Sequence, residues 1–157
     1  MRISTRAQYA VRAMVDLSLH SQGRPVSLRE IAQREEIPLN YLEQLFFRLK
    51  KGNIVKSVRG PGGGYVLARD SFLIRVGEIV ATVEESLNPV ACLDDGGAAC
   101  HRNSRCITHN VWKGLGERIR GFLNDINLEE LTSEAKHKLV NVEVPEADAV
   151  PLRTGVN

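Results

Sequence analysis

Three cysteines and a histidine carry the clearest chemistry in the chain. Cys92, Cys100, Cys106 and His109 follow one another as C-x7-C-x5-C-x2-H. Thiolate and imidazole are soft donors that suit zinc, iron or an iron–sulfur cluster, whereas calcium and magnesium take oxygen ligands. The spacing does not name the metal. Three cysteines and one histidine build a tetrahedral zinc site as readily as they hold a cluster, and free redox thiols are a third reading. Cys106 and His109 are three residues apart, which puts them on one face at a helix start. Nearby titratable groups read more blandly. His101 adjoins Cys100, and adjacent residues seldom turn the same way. Asp94 and Asp95 read as loop solvation, His20 and His137 as ordinary surface histidines.

The rest of the composition narrows the class. The 157 residues, 43% hydrophobic and 25% charged, make about one domain's worth of globular chain. Three cysteines, all between 92 and 106, do not form the even, dispersed framework of a secreted disulfide protein. No apolar run approaches the roughly 18 residues of a membrane span. Arg12 and Asp16 interrupt the apolar stretch behind Arg2 and Arg6, against a signal peptide. The expectation is a cytoplasmic protein with no membrane partner.

The elements that must position the chemistry are mostly helical. Ser4 caps a first helix to about Leu19, with Ala10, Ala13, Met14 and Leu17 on its buried face. Gly23-Arg24-Pro25 breaks it. Ser27-Leu28-Arg29-Glu30 is a capping box opening a second, short helix. Pro38 starts a third, where its missing N–H costs nothing, and Leu42, Leu45, Phe46 and Leu49 form its inward stripe. Ile54–Val58 and Tyr65–Leu67 read as strands around the turn-rich Arg59–Gly64. No Lys-Ser/Thr follows the glycines and no helix opens from them, so a β-hairpin is preferred to a phosphate loop. Arg75 to Glu85 reads as another helix, ended by Pro89. Residues 90–105 form a Gly-, Ala- and Asp-rich loop. A long helix from Ile107 to Asn124 carries Val111, Leu115, Ile119 and Phe122 at near-fourfold spacing, with Trp112 beside them. Gly114, Gly116 and Gly121 weaken it by up to about 1 kcal/mol each, so packing, naturally from a partner subunit, must hold it. A short helical segment follows near Leu128 and Leu131.

The expected fold is therefore mainly α with a small β-hairpin: a winged helix-turn-helix domain plus a long dimerisation helix. Three segments follow: 1–75 for DNA binding, 76–133 for helix, ligand loop and dimerisation helix, and 134–157 as a disordered tail. Charge supports the division, since residues 1–75 hold 13 Lys+Arg against 6 Asp+Glu and the remainder 8 against 13. A basic half built on a helix pair and a wing points to a polyanion. Among the outward residues of the third helix, Gln44 pairs with adenine, Glu43 accepts from the cytosine amino group, and Asn40 and Tyr41 serve base or backbone. Arg48, Lys50, Lys51 and Lys56 suit phosphates, and Arg59 at the wing tip suits a narrow minor groove. Ser27 and Gly60 complete the candidate contact set.

Tyr9-Ala10-Val11, the run from Tyr41 to Phe46, the run from Val58 to Tyr65, Cys106-Ile107-Thr108-His109 and Gly121–Asn124 together resemble the IscR-type iron–sulfur cluster regulators. The resemblance covers roughly residues 1–133. It implies a homodimeric winged-helix repressor or activator holding a [2Fe–2S] cluster through Cys92, Cys100, Cys106 and His109. It further implies minor-groove contact by Arg59 and base reading by the stretch from Tyr41 to Gln44. One departure is a Cys92–Cys100 loop longer than the family pattern by about two residues, which loop closure tolerates cheaply.

The function expected is a sequence-specific regulator, not an enzyme, whose promoter binding follows cluster occupancy. Its genes would be those of cluster assembly or related iron and redox functions, with an assembly scaffold as cluster donor. The targets are pseudo-palindromic sites with half-sites about one helical turn apart, bound with steep salt dependence. Two rivals stand beside this. One keeps DNA binding with structural zinc or a thiol switch in place of the cluster. The other is an electron-transfer or cluster-carrier protein, for which Arg59→Ala is silent. A cysteine-based enzyme fits poorly, since little chain remains for a substrate pocket.

Overall fold

The structure is a computed structural model, and it describes residues 3–84, 86–94 and 105–142. Helix α1 (Thr5–Ser21) starts where expected, with the Ser4 hydroxyl accepting from the Ala7 N–H. Its fully buried Ala7, Ala10, Ala13, Met14 and Leu17 make it the central element of the core. The capping box of α2 (Leu28–Glu35) is complete: Ser27 Oγ accepts from the Glu30 N–H at 3.2 Å, and the Ser27 N–H donates to Glu30 Oε2 at 2.8 Å. Helix α3 (Leu39–Lys51) starts directly after Pro38 and buries Leu42, Leu45, Phe46 and Leu49. The wing is an antiparallel hairpin, β1 (Val55–Val58) and β2 (Gly64–Leu67), with Val55 opposite Leu67 and Val58 opposite Gly64. Helices α4 (Val76–Val83), α5 (His109–Asp125) and α6 (Leu128–Val142) follow.

Three ties make these elements one body. Asp16 of α1, buried at 2% exposure, receives both Arg34 Nε and Nη2 at 2.8 Å, which locks α1 to α2. His20 lies 3.3 Å from the same carboxylate, and Asp16 holds the Arg34 guanidinium above its ordinary, already high pKa. The wing is tied to the N-cap of α2 by a two-way bridge, Val26 N–H to Tyr65 C=O at 2.9 Å and Tyr65 N–H to Val26 C=O at 2.8 Å. A Cβ at Gly64 would overlap the Val26 carbonyl, so the hairpin approaches this closely only with glycine there. Finally, the Val76 N–H reaches Ile126 C=O and the Leu128 N–H reaches Ile74 C=O, fastening the start of α4 to the α5–α6 junction.

Two expectations are corrected. The segment after Asn127 is no short turn: α6 runs 15 residues and packs along α1. The expected boundary at 133 therefore falls inside a helix, and residues 134–142 are not tail; the remainder of that segment, 143–157, lies outside the described residues. The apolar signal there was weak because only Leu128, Leu131 and Ala135 need to touch α1 and α4, leaving Leu139 and Val140 exposed. The long helix also starts at His109 instead of Ile107, so Cys106 stands in the turn before it.

The Ser27 cap has a testable consequence. Its hydrogen bonds hold the Glu30 carboxyl below the ordinary value of 4.5. A depressed folded-state pKa contributes stability above that value and loses it as pH falls through the lowered one. Ser27→Ala is expected to cost about 1 kcal/mol at neutral pH, and to leave a shallower loss of stability below the ordinary carboxyl range, measured as denaturant midpoints against pH.

Candidate nucleic-acid interface and ligand segment

The outward face of α3 gathers most of the expected readers. Asn40, Glu43, Gln44, Phe47, Arg48 and Lys51 line one open groove of about 990 Å³, closed at one side by Gly52 and Thr82. Their spacing is that of one helical face, about 16 Å from end to end. The groove thus runs from neutral and acidic hydrogen-bonding groups at the start of α3 to cations at its end. Arg48 is shared: its Nη1 donates to the Val83 carbonyl at 3.2 Å, anchoring the end of α4. Tyr41 leaves this face. It is half-buried and meets Tyr9 edge-on, centroids 5.6 Å apart. Ser27 spends its hydroxyl on the α2 cap, also donating to Glu30 Oε2 at 2.9 Å.

The wing is set relative to α3 by one aromatic pair. Phe46, buried under α3, packs edge-on against Tyr65 of β2 with centroids 4.9 Å apart. Lys56, Arg59 and Gly60 are exposed along the hairpin and its tip. Gly60 has φ +107°, a value an L side chain rarely adopts, and its carbonyl accepts from Gly63 N–H at 2.9 Å. Arg59 is therefore presented on a closed, rigid turn.

The second set is less complete. Cys106 Sγ lies 3.3 Å from the Thr108 hydroxyl, and His109 N–H donates to Cys106 C=O at 3.3 Å, so Cys106 stands in the turn that leads into His109, the first residue of α5. Both are half-buried, while Cys92 is exposed in a 3-10 turn over Ala91–Leu93. Cys100, with Asp95 and His101, lies outside the described residues. Among the described residues no three Cys, His, Asp or Glu are grouped tightly enough to hold a metal.

A hydrogen-bond hub not legible in the sequence holds the two ends of the segment that carries Cys92 together. Asn88 Oδ1 accepts from Arg120 of α5 at 2.7 Å, and its Nδ2 donates to Leu93 C=O at 2.7 Å and to Asp94 Oδ1 at 3.0 Å. Ser86 hydrogen-bonds the same Asp94 carboxylate, and these contacts hold the Asp94 pKa below its ordinary value. A Cβ at Gly116 would press on Pro89. Asn88 thus sits beside Arg120 and Pro89 beside Gly116, and the Asn88 side chain folds Leu93 and Asp94 back to the same place. Only the Asn-Pro break hinted at this in the sequence.

A helix-turn-helix with a wing braced against its second helix, presenting a face of hydrogen-bonding and cationic groups, is the architecture of a winged-helix DNA-binding protein. Residues 3–134 match the Rrf2 family model, described as an iron-dependent transcriptional regulator, and the chain belongs to that family. It is 50% identical over 133 residues to the HTH-type transcriptional regulator IscR of Serratia proteamaculans (strain 568), an alignment covering 85% of this chain and 80% of that one. Its fold is similar to that of T. potens IscR, at 33% identity and TM-score 0.71 over 94% of both chains. The global cysteine regulator CymR of B. subtilis is similar too, at 32% identity and TM-score 0.69, covering 85% of this chain and 98% of that one. The chain is thus a DNA-binding transcriptional regulator and not an enzyme. No helix among the described residues is long and apolar enough to cross a membrane.

Proposed function

We propose that the chain is a cytoplasmic, homodimeric regulator whose choice of promoter is controlled by a [2Fe–2S] cluster held by Cys92, Cys100, Cys106 and His109. Its targets would be genes of cluster assembly or related iron and redox functions, with an assembly scaffold as donor. The observation that supports this reading is that Cys106 and His109 stand together at the start of α5, joined by the bond from the His109 N–H to the Cys106 C=O. The donor set is soft and accessible, as a cluster or zinc requires, and the IscR-named relatives favour the cluster. Bound there, the cluster would supply an oxidation-sensitive group with a net charge of about −1, favoured by the helix N-terminus. Cys106 and His109 would bind it, and the Asn88 hub would orient Cys92.

The second copy is supported by what α5 leaves exposed. Leu123 and Ile126 pack on Ala7, Val76 and Val80, but Val111, Leu115 and Phe122 remain 60%, 38% and 66% exposed. In the proposed dimer two such stripes cover each other and set the spacing of the two α3 helices. Leu115→Asp is expected to give a monomer in sedimentation velocity and to lose at least tenfold affinity for a two-half-site duplex. A stable dimer would remove α5 from the interface.

Iron, zinc and acid-labile sulfide in protein purified without oxygen test the cofactor directly. About two irons and two sulfides per chain are expected. About one zinc per chain without sulfide would make the same residues a structural clasp, and the regulator's signal would lie elsewhere.

A further inference from the structure

Phe47 was absent from the residues expected to meet DNA, yet it stands in the middle of the groove that holds them. It is 69% exposed, on a helix whose other large apolar residues, Leu42, Leu45, Phe46 and Leu49, are buried. It lies three residues after Gln44 and four after Glu43, and directly before Arg48, within one lined surface. A phenyl ring there adds nothing to the core, and water-exposed apolar surface at a binding face is costly until something apolar covers it.

The partner is already defined by the fold, since α3 is the recognition helix of a DNA-binding regulator and the groove carries Arg48 and Lys51 for phosphates. In the major groove the base edges of guanine, adenine and cytosine present nitrogen and oxygen atoms that a phenyl ring would strip of water without replacing a hydrogen bond. Thymine alone offers a methyl group. We propose that Phe47 is a specificity-determining residue that reads a thymine methyl in each half-site. One helical turn separates it from Glu43, about 6 Å along the axis. The thymine is therefore expected within the same half-site as the bases read by Glu43 and Gln44, beside them.

The test uses the full chain. Wild type and Phe47→Ala are each used to select from a randomised duplex library, and thymines of the wild-type motif are then replaced one at a time by deoxyuridine, which lacks only the methyl. Wild type should weaken about fourfold per half-site at one thymine, the loss of one buried methyl. Phe47→Ala should be indifferent there, and its selected motif should lose that thymine while keeping the other bases. The variant should fold as wild type, checked by thermal unfolding, because the side chain is exposed. A motif unchanged by Phe47→Ala, an affinity loss spread evenly over all sequences, or a wild type indifferent to deoxyuridine at every thymine overturns the proposal. So does normal DNA binding by the variant with loss of transcription in a purified polymerase assay, which would make this face a protein-docking surface. The outcome depends on DNA reading alone and is independent of iron or sulfide content.

Discussion

For the proposed cluster, Cys106→Ala is expected to purify without visible absorption, with iron and sulfide at background. The side chain removed sits one turn from His109 and is the thiol at the entrance to α5, so in the proposed set the three remaining donors would leave one ligand position unfilled. The same substitution leaves the core untouched, because Cys106 is half-buried in a turn and belongs to neither apolar cluster. Thermal unfolding of the metal-free proteins is therefore expected to agree within about 0.5 kcal/mol. DNA binding is expected to persist with altered promoter preference, since α3 and the wing are held by α1, α2 and α4. Full iron and sulfide in the variant would remove Cys106 from the ligand set. Loss of all DNA binding together with folding would show instead that the turn is structural.

Arg34→Ala is expected to give the largest loss of stability among the substitutions proposed. The Asp16 carboxylate is 2% exposed and receives two charge-assisted hydrogen bonds from Arg34 at 2.8 Å each. Removing the arginine leaves a buried charge uncompensated, which costs about 3 kcal/mol or more out of a total of about 5–15 kcal/mol. For a chain of this size that lowers Tm by about 10 °C. The double variant Asp16→Leu/Arg34→Leu should be closer to wild type than Arg34→Ala alone, because two apolar side chains replace the pair without leaving a charge behind. Equal losses in the single and double variants would mean that packing, not charge, is what the pair contributes.

Much of this protein is legible from local rules. Ser4, Ser27 and Pro38 announce three helix starts within a residue or so, because caps and proline act on backbone groups only a few residues away. The wing follows from two β-branched runs around Arg59–Gly64 for the same reason. The outward face of α3 follows from the inward one, which is why Asn40, Glu43, Gln44, Arg48 and Lys51 were found together. Phe47 stands one step off the buried stripe of Leu42, Leu45, Phe46 and Leu49, so its exposure follows from the helical period, but its place in the groove does not follow from residue type. Helix α6 was underestimated because its support is non-local: it packs on α1, more than a hundred residues earlier.

The amino-acid order by itself thus determined most of the elements, the outward face of α3 and a candidate set of soft donors, since each depends on periodicity, capping or residue type over short spans. The tertiary structure decided what those elements are fixed to. It tied the wing to α2 through Val26 and Tyr65, turned Tyr41 onto Tyr9, engaged Arg48 with α4, buried Asp16 against Arg34, and fastened Asn88 to Arg120 of α5. All of these contacts join residues distant in the chain, or depend on which faces meet. Packing sets them, and no local spacing encodes them.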